Sequence, residues 1–439
     1  MLQPPASPDA PPARAIPPGP RNWAGNITFN AGRVHTPSSV ERLREIVAGS
    51  RSVRALGSGH SFNAIADTHG DLVSVAGLPR IVEVDETAAT VTVSAGLRFA
   101  EFTGALHRAG LALHNLGSLP HISVAGACAT GTHGSGVGNG TLASAVRALE
   151  LVTADGELLV LDRDDEDFAG AVTALGAVGV VTRMTLGLVP AYDIRQWVYE
   201  GLPYERLRER FDEVLSAAYS VSVFTSWRTE RIEQLWLKQR IGDGDDDPDP
   251  VPGQRFGAVR ADGPRHPVPG MDPSTCTVQS GVAGPWHERL PHFRPEFTPS
   301  SGEELQSEYF VARKDGPAAF DALARIRERI APVLQIGEIR SVAADELWLS
   351  PAYGRDTVAF HFTWHPDTAA VMPVLDAIEE ALAPFDVRPH WGKLFTMGQE
   401  RVAALYERYA DFEALTAKHD PRGVFRNDLL ERYFPGGRG

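Results

Sequence analysis

The sequence predicts an α+β protein of two domains, the second of which carries a large antiparallel sheet. Three observations support this prediction. The chain of 439 residues is about three times as long as a typical domain of about 150 residues. Residues 37–188 alternate short strand patterns with amphipathic helix patterns, whereas the strand patterns after residue 193 are longer. Long strands separated by long helices are typical of a sheet with helices on one face.

The first predicted domain opens with a helix, for which Ser38 and Glu41 have the spacing of a capping box. The apolar face of this helix comprises Val40, Leu43, Ile46 and Val47. Strands are predicted at 53–56, 81–85, 90–94, 148–153 and 157–161, with a helix at 99–111. The last four strands form two hairpins, and the second turns at Asp155-Gly156, which is a strong turn signal.

The second predicted domain begins after Ala191. Its strands are predicted at 221–227, 233–240, 305–312, 335–342 and 357–364, and its helices at 204–218, 318–330 and 369–382. Residues 241–303 are rich in Pro and Gly and are predicted to form a long irregular excursion. An Asp-rich run between Gly242 and Gly253 suggests a calcium site, but it lacks the ligand spacing and terminal Glu of an EF-hand loop, which favours a solvated loop. From about Val402 to Asn427 the chain is predicted to be helical.

Charge and composition exclude several classes of function. Lys and Arg number 42 and Asp and Glu 56, so the net charge is 42 − 56 = −14, which argues against nucleic-acid partners and anionic membranes. No apolar stretch resembles a signal peptide or a membrane span, so we expect a cytoplasmic protein. Only two cysteines are present, Cys128 and Cys276, and we expect neither a disulfide framework nor a metal site.

Two glycine-rich segments predict a binding site for an anionic cofactor. One runs from Leu56 to Asn63 directly after a strand, and the other from Gly117 to Gly136. Backbone N–H groups exposed by Gly, Ala, Ser and Thr form anion-binding concavities. Ordinary tight turns explain the first segment about equally well, but the long run of small residues in the second favours an extended, phosphate-bearing cofactor. Neither a Rossmann nor a Walker A motif is present. His60 places a nucleophilic ring nitrogen in this cradle, which suggests a covalent role.

A polar sheet face is predicted in the second domain. Glu338 and Arg340 are two residues apart on one strand, and His361 and Thr363 are two apart on another. Period-two spacing puts each pair on one face of the sheet, with intervening apolar residues on the other. A salt-bridged, solvent-facing surface is the simpler interpretation of Glu338 and Arg340 taken alone. A buried face would require mutual pairing of these groups or a polar ligand.

Several motifs together carry a family resemblance. They are G-S-G-H-S at 57–61, S-L-P-H-I-S-V-A-G at 118–126, A-T-G-T-H-G-S-G at 129–136, L-G-A-V-G-V-V-T at 175–182, P-H-F-R-P-E-F-T-P-S-S-G at 291–302, E-I-R at 338–340, H-F-T-W at 361–364 and H-W-G-K at 390–393. The first four resemble the FAD-binding domain of vanillyl-alcohol-oxidase-type flavoproteins. From Asn22 to Asn427 the chain resembles the alditol (xylitol) oxidase family and, more distantly, the sugar-lactone oxidases.

The resemblance implies a domain division and a covalently bound FAD. We expect a disordered Pro-rich arm at 1–20, an FAD-binding domain at 21–190, a substrate-binding domain at 191–400, and a segment at 401–439 that returns to the FAD domain. In the family the histidine of G-x-G-H-S is joined to the 8α-methyl of the flavin, and here that residue is His60. The residues expected to line FAD are Leu56, Gly57, Ser58, Gly59, Ser61, Ser118, Ser123, Gly126, Thr130, Gly131, Thr132, His133 and Val181.

The H-F-T-W and H-W-G-K motifs reverse the interpretation of the polar face in favour of a substrate site. The residues expected to bind a polyol are Ser118, Glu338, Arg340, Thr363 and Lys393. A polyol needs alternating hydrogen-bond donors and acceptors, which these side chains supply. Arg340 and Lys393 are expected near the oxidised hydroxyl, stabilising alkoxide character as hydride leaves for flavin N5. His361 is a candidate to accept the proton, and the choice of base between His361 and Lys393 stays open.

The implied activity is oxidation of the terminal primary alcohol of an alditol to the aldose, with oxygen reduced to hydrogen peroxide. Gly117 lies where related enzymes are thought to control oxygen access, which favours an oxidase over a dehydrogenase. Two enzyme alternatives are a sugar-1,4-lactone oxidase and a polyol dehydrogenase that uses another electron acceptor. The alternative from another class is a non-catalytic flavin- or carbohydrate-binding protein. We expect the chain to be a monomer.

Overall fold

The computed structural model describes residues 20–242, 253–297 and 303–437. Nearly all of the Pro-rich arm predicted at 1–20 and the Asp-rich part of the excursion lie outside the described residues. In the described ranges, no helix has both the length and the apolar character that crossing a membrane requires.

Two sheets occupy the N-terminal part of the chain. Their strands, with one further pair, are β1 (Arg33–His35), β2 (Val53–Leu56), β3 (Asp71–Ser74), β4 (Val82–Asp85), β5 (Thr90–Ser94), β6 (Leu111–Ala112), β7 (Val146–Val152), β8 (Leu158–Asp162), β9 (Val180–Gly187) and β10 (Val189–Pro190). The first sheet is parallel, with β3 between β1 and β2. The second sheet is antiparallel in the order β4-β5-β9-β7-β8. The predicted strand β2 and both predicted hairpins are confirmed.

A ten-stranded sheet forms the second part. Its strands are β11 (Asp193–Pro203), β12 (Ser220–Thr225), β13 (Arg231–Ile241), β14 (Gln254–Arg255), β15 (Ala258–Arg260), β16 (Gly284–Pro285), β17 (Leu305–Ala312), β18 (Leu334–Val342), β19 (Thr357–Trp364) and β20 (Arg388–Pro389). The order is β14-β15-β11-β13-β12-β18-β19-β17-β20, with β16 also paired to β11, and neighbours are antiparallel. This confirms the predicted antiparallel sheet, whose opposite face buries Ile339 and Phe362 in the main core.

The helices are short and pack around the sheets. They are α1 (Val40–Gly49), α2 (Thr103–Arg108), α3 (Val124–Ala129), α4 (Phe168–Val172), α5 (Tyr204–Glu209), α6 (Phe211–Leu215), α7 (Trp286–Arg289), α8 (Gly316–Arg325), α9 (Arg327–Ile330), α10 (Thr368–Leu382), α11 (Gln399–Leu405), α12 (Tyr409–His419) and α13 (Asp428–Tyr433). Helices α8 and α10 pack against each other and against β17.

Two predictions for the first domain are wrong in detail. The cap of α1 is Ser39, whose side chain accepts a hydrogen bond from the backbone N–H of Arg42, so Ser38 does not form the capping box with Glu41. In place of the single helix predicted at 99–111, the chain forms a 3₁₀ turn followed by the short helix α2. It ends because Gly110 adopts a φ of 75°, after which Leu111 begins the strand that pairs with β10.

Longer predicted helices are also interrupted in the second domain. The chain leaves helical geometry at Arg210, between α5 and α6, which lets the rings of Phe211 and Phe320 meet at 6.4 Å. Helix α8 begins at Gly316, earlier than predicted, because Pro317 is favourable in a first helical turn, and the chain breaks at Ile326 before α9. Asn427 does not end the C-terminal helical region. Its side chain caps α13 instead, accepting from the backbone N–H of Leu430.

Within its described residues 253–297, the excursion predicted at 241–303 is more ordered than expected. Strands β14 and β15 add to the ten-stranded sheet beyond β11, and β16 pairs with β11 as well. Helix α7 buries Trp286 completely. The Pro and Gly density misled the prediction because, between residues 253 and 297, these residues lie between short paired elements and do not mark one continuous loop.

The C-terminal segment packs back onto the N-terminal part. The Asn427 side-chain amide lies within hydrogen-bonding distance of the backbone oxygens of Ala64, Ile65 and Asp67. The guanidinium of Arg54 donates to the carbonyls of Ile65 and Phe425, joining the same two regions. These contacts support the expected return of the segment 401–439, whose boundaries remain a prediction.

Candidate active site

The two glycine-rich segments lie side by side and exchange a pair of hydrogen bonds. The backbone N–H of Ser58 donates to Ser123 Oγ at 3.2 Å, and the backbone N–H of Ser123 donates to Ser58 Oγ at 3.1 Å. A Cβ at Gly57 would clash with Ser123 Oγ, so a side chain there would displace this hydroxyl. The close approach of the two segments therefore depends on glycine at position 57.

A cavity of about 960 Å³ opens over these segments. The predicted cofactor residues that line it are Leu56, Gly57, Ser58, Gly59, His60, Ser61, Ser118, Ser123, Gly126, Thr130, Thr132, His133 and Val181. Gly131 is the exception. Its φ of 73° and the 2.7 Å that would separate its Cβ from Pro351 Cδ show that glycine is needed there for the turn and for packing.

His60 is held against the cavity wall with one ring nitrogen free. Its ring stacks on Trp23, with centroids 4.9 Å apart and planes 18° from parallel. Nδ1 is buried and has no hydrogen-bond partner. Burial lowers the pKa of His60 to about 4, so the imidazole is neutral at physiological pH. A neutral ring with an unpaired nitrogen has the electron pair that covalent attachment requires.

The register of three neighbouring strands aligns acidic and histidine side chains in one row. His361 on β19 lies opposite Glu338 on β18 and opposite Glu308 on β17. Arg340 and Thr363 share this face because each is two residues further along its strand. The predicted site residues that line the cavity here are Ser118, Glu338, Arg340, His361, Thr363 and Lys393. The structure thus brings all six around the cavity that contains the glycine-rich segments.

Glu308 is the centre of the polar face, although it is not among the site residues predicted from the sequence. Its Oε1 accepts from Arg340 Nη2 at 2.8 Å and lies 3.2 Å from His133 Nε2. Its Oε2 accepts from Lys393 Nζ at 2.7 Å. Burial opposes ionisation of Glu308, but the charge of Lys393 and its other partners outweigh it, so the pKa of the carboxyl lies well below its usual range. The sequence held a signal for this residue, an acidic side chain in the middle of a strand that is otherwise largely apolar.

Arg340 connects the cluster to the glycine-rich segments. Its Nη1 donates to Ser118 Oγ at 3.2 Å, and its Nε lies 3.6 Å from Glu338 Oε2 without a hydrogen bond. Burial raises the pKa of the Glu338 carboxyl, but Arg340 and then His292 more than offset this, so its pKa lies far below the usual value. Glu338 is therefore an ionised acceptor at the cavity wall.

Lys393, His361 and Thr363 form a second branch. Lys393 Nζ lies 2.8 Å from His361 Nδ1, and His361 Nε2 lies 3.1 Å from Thr363 Oγ1. Burial and the neighbouring Lys393 hold the pKa of His361 well below its usual value. Because a neutral ring accepts at one nitrogen and donates at the other, Lys393 donates to Nδ1 and His361 donates from Nε2.

The buried charges around this part of the cavity balance. Glu308 and Glu338 contribute two negative charges, and Arg340 and Lys393 two positive charges. Buried ions of this kind stay in a protein only when they are paired, and removing one partner leaves the other uncompensated. A balanced cluster of hydrogen-bonding groups suits a neutral, hydroxyl-rich ligand.

Part of the excursion lines the cavity. The wall includes His266, Pro267, Val268, Met271, Asp272, Ser274, Thr275, His292 and Phe293. The backbone N–H of His292 donates to the Ser118 carbonyl at 3.0 Å, and its ring Nε2 lies 2.9 Å from Glu338 Oε1. His292 lies in the P-H-F-R motif at 291–294, which was the only signal in the sequence for its importance.

Comparisons with known proteins agree with this architecture. A family model described as an FAD binding domain matches residues 31–162, and one described as D-arabinono-1,4-lactone oxidase matches residues 303–433. Cholesterol oxidase from B. sterolicum superposes with a TM-score of 0.77 over 98% of this chain and 100% of its own, at 15% identity. That similarity shows a two-domain fold of mixed α and β structure, and the family model at residues 31–162 identifies an FAD-binding domain within it.

Sequence relatives cover nearly the whole chain. An alditol oxidase from Streptomyces sp. is 52% identical over 418 residues, which are 94% of this chain and 99% of the relative. An L-gulono-1,4-lactone dehydrogenase from Mycobacterium tuberculosis is 30% identical over 94% of this chain and 98% of its own length. The chain therefore belongs to the alditol oxidase family of FAD-binding oxidoreductases.

Proposed function

We propose that the protein is an FAD-dependent alditol oxidase that converts the terminal primary alcohol of polyols such as xylitol and sorbitol to the aldose. The observation that carries the proposal is the shared cavity, in which a glycine-rich cradle meets the buried cluster of Glu308, Glu338, Arg340 and Lys393. The 52% identity to a relative named alditol oxidase supports the same substrate class. Oxygen is the proposed electron acceptor and hydrogen peroxide the product.

The cradle has the features that FAD requires. Backbone N–H groups of its small residues suit a pyrophosphate, and the cavity continues from the cradle to the polar face. We propose that Nδ1 of His60 is the point of covalent attachment, because it is neutral, buried and without a partner. Bound FAD would accept the hydride and transfer the electrons to oxygen.

Substrate recognition is assigned to the five predicted residues with the help of Glu308. Glu338 accepts hydrogen bonds from hydroxyls, whereas Arg340 and Lys393 donate to hydroxyl oxygens. Ser118 and Thr363 can both donate and accept. The role of Glu308 is to neutralise and orient Arg340 and Lys393, since it bonds to both and has almost no exposure.

We assign uptake of the proton from the reacting hydroxyl to the pair formed by His361 and Lys393. Because Nδ1 of His361 and Nζ of Lys393 are 2.8 Å apart, one proton position is shared between them. Positive charge on Lys393 and Arg340 stabilises the negative charge that develops on the substrate oxygen as its proton is removed and before hydride leaves the adjacent carbon. Neutral His361 keeps the capacity to take up or orient the released proton.

Two measurements test the proposal. Acid-denatured protein on a gel should fluoresce under ultraviolet light, and His60→Ala should lose this fluorescence. Peroxide release should be observed with xylitol, sorbitol and glycerol, and comparing their kcat/KM ranks the substrates. Protein that binds FAD but releases no peroxide with any alditol would contradict the proposed activity.

Sugar-1,4-lactone oxidation is a second candidate, favoured by the match of residues 303–433 to the D-arabinono-1,4-lactone oxidase model. Aldonolactones should therefore be assayed beside alditols with oxygen and with an artificial acceptor. A higher kcat/KM for a lactone than for any alditol would contradict the first proposal and support the second. Faster turnover with the artificial acceptor than with oxygen would indicate a dehydrogenase.

We also propose that the protein is a monomer with the domain division predicted from the sequence. The contacts of Asn427 and Arg54 support the assignment of the C-terminal segment to the FAD domain. Light scattering on a sizing column should give a mass near 47.5 kDa. A mass of twice this value would contradict the monomer.

A further inference from the structure

A buried lysine lies behind the polar face, outside the cavity wall. Lys238 is in the middle of β13, and only 1% of its surface is exposed. Its Nζ donates to the carbonyls of Leu290 and Pro291 and lies 3.2 Å from Nδ1 of His292. A buried lysine is costly unless its donors are used, and here the ammonium has one acceptor for each of its three protons. All three acceptors belong to consecutive residues of the segment that covers the cavity.

His292 joins this lysine to the substrate site. An ionised carboxylate can only accept, so His292 Nε2, at 2.9 Å from Glu338 Oε1, carries a proton and donates it. Burial and the charge of Lys238 lower the pKa of His292 to about 4, so the ring is neutral and its Nδ1 is an acceptor. Lys238 donates a hydrogen bond to this nitrogen. Burial also lowers the pKa of Lys238 to about 7, and both its charged and neutral forms have an N–H for the ring.

The position of the His292 ring is fixed on its other sides. The rings of Phe224 and Trp236 each make a T-shaped contact with it, with centroids 5.5 and 5.3 Å from its own. Its backbone N–H donates to the Ser118 carbonyl. One residue therefore contacts two of the proposed substrate-binding residues, Ser118 through the main chain and Glu338 through the ring.

We propose that Lys238 and His292 are positioning residues of the polyol site: Lys238 anchors His292, and His292 holds the Glu338 carboxylate ionised and oriented toward a substrate hydroxyl. The proposal rests on the function proposed above for Glu338. It predicts that removal of Lys238 weakens substrate binding although Lys238 does not line the cavity. A lysine that only ties the covering segment to the sheet would instead affect stability.

The first test is kinetic. Lys238→Met keeps the length of the side chain without its donors, and we expect KM for xylitol to rise about tenfold, as for loss of a hydrogen bond to a charged group, with a smaller change in kcat. In a Glu338→Gln background the same substitution should leave KM unchanged, because the carboxylate that Lys238 positions through His292 is absent. An equal rise in KM in both backgrounds would overturn the proposal.

The second test can be used if the Lys238→Met variant does not fold. His292→Gln retains a side-chain N–H for Glu338, whereas His292→Leu does not, so Gln should keep KM closer to that of the original protein. Equal KM values for the two variants would overturn the proposal.

The third test needs no substrate and so separates this inference from the proposed activity. ¹⁵N NMR of the holoenzyme should show the His292 ring neutral and protonated on Nε2, and His292→Gln identifies the signal. A ring protonated on Nδ1, or on both nitrogens at neutral pH, would contradict the inference whatever the protein oxidises.

Discussion

The glycine-rich cradle and the polar face meet in one cavity but are built in opposite ways. The cradle consists of small residues whose backbone groups form the surface, and its two segments, 56–63 and 117–136, contain no Asp, Glu, Lys or Arg. The polar face consists of charged side chains, of which Glu308, Glu338 and Arg340 lie on strands of the ten-stranded sheet and Lys393 follows β20, and each is paired with another. The cradle is therefore sensitive to added volume, and the polar face to removed charge.

This difference assigns the two regions separate tasks. A surface of backbone N–H groups binds an extended anionic group without any ionic partner in the protein. Balanced buried charges can hold a neutral ligand and can also stabilise charge that develops during reaction. Substitutions that alter only one region should separate cofactor binding from turnover.

The largest expected effect is on the polar face. Lys393→Met removes the cation placed beside His361 and should lower the rate of anaerobic flavin reduction by about 10³-fold. Stopped-flow absorbance measures this rate directly. Lys393→Arg keeps the charge and should lose less. A reduction rate for Lys393→Met close to that of the original protein would show that this cation does not act on the reacting hydroxyl.

Glu308→Gln should have the next largest effect, because it leaves Lys393 and Arg340 without their shared carboxylate. The free energy of unfolding should fall by about 3 kcal/mol, as when one partner of a buried pair is removed, and kcat/KM should fall by about 100-fold. Glu213→Gln removes one side of an exposed ion pair with Arg210 and serves as the control, with no measurable change expected. Equal stability of the two variants would argue that Glu308 is not the centre of the cluster.

A change in the cradle should act on cofactor content. Gly57→Ala displaces Ser123 Oγ and breaks its bond to Ser58, so the ratio of flavin to protein after purification should fall several-fold. Gly138→Ala adds the same methyl group where no atom lies within 4 Å, and should retain full flavin. If the two variants hold equal amounts of flavin, the cradle does not depend on the close approach at position 57.

Gly117 tests the reaction with oxygen. An added Cβ would have ordinary contacts, the nearest at 3.6 Å to the His133 carbonyl, so the protein should tolerate Gly117→Ala. We expect several-fold slower reoxidation of reduced flavin after an oxygen pulse, with anaerobic reduction by xylitol nearly unchanged. An unchanged rate of reoxidation would show that Gly117 does not control the access of oxygen to the flavin.

The smallest expected effect is the pH dependence. The folded pKa of His361 lies below its ordinary value of 6.5, so the ring stays neutral as pH falls through 6.5. kcat/KM should therefore be level from about pH 8 to pH 6.5 and decline only below that range. A decline centred at or above pH 6.5 would mean that His361 is not held neutral by burial and Lys393.

Local patterns in the sequence anticipated the cradle well. Residues 56–63 and 117–136 are contiguous, so their composition alone indicated exposed backbone. Period-two spacing also placed Glu338 with Arg340 and His361 with Thr363 on one face, since alternation is a property of each strand by itself. The predicted helix ends were less accurate, because a break such as that at Arg210 depends on the packing of Phe211 against Phe320.

The sequence by itself therefore determined the sheet-rich architecture, the cradle with its histidine, and the members of the polar face other than Glu308. Only the tertiary structure decided how they are paired. Glu308 contacts His133, Arg340 and Lys393, and Lys238 contacts Glu338 through His292, across elements far apart in the chain. Such pairing depends on strand register and on the segment that covers the cavity, and the ionisation of each buried group depends in turn on the partners it finds there.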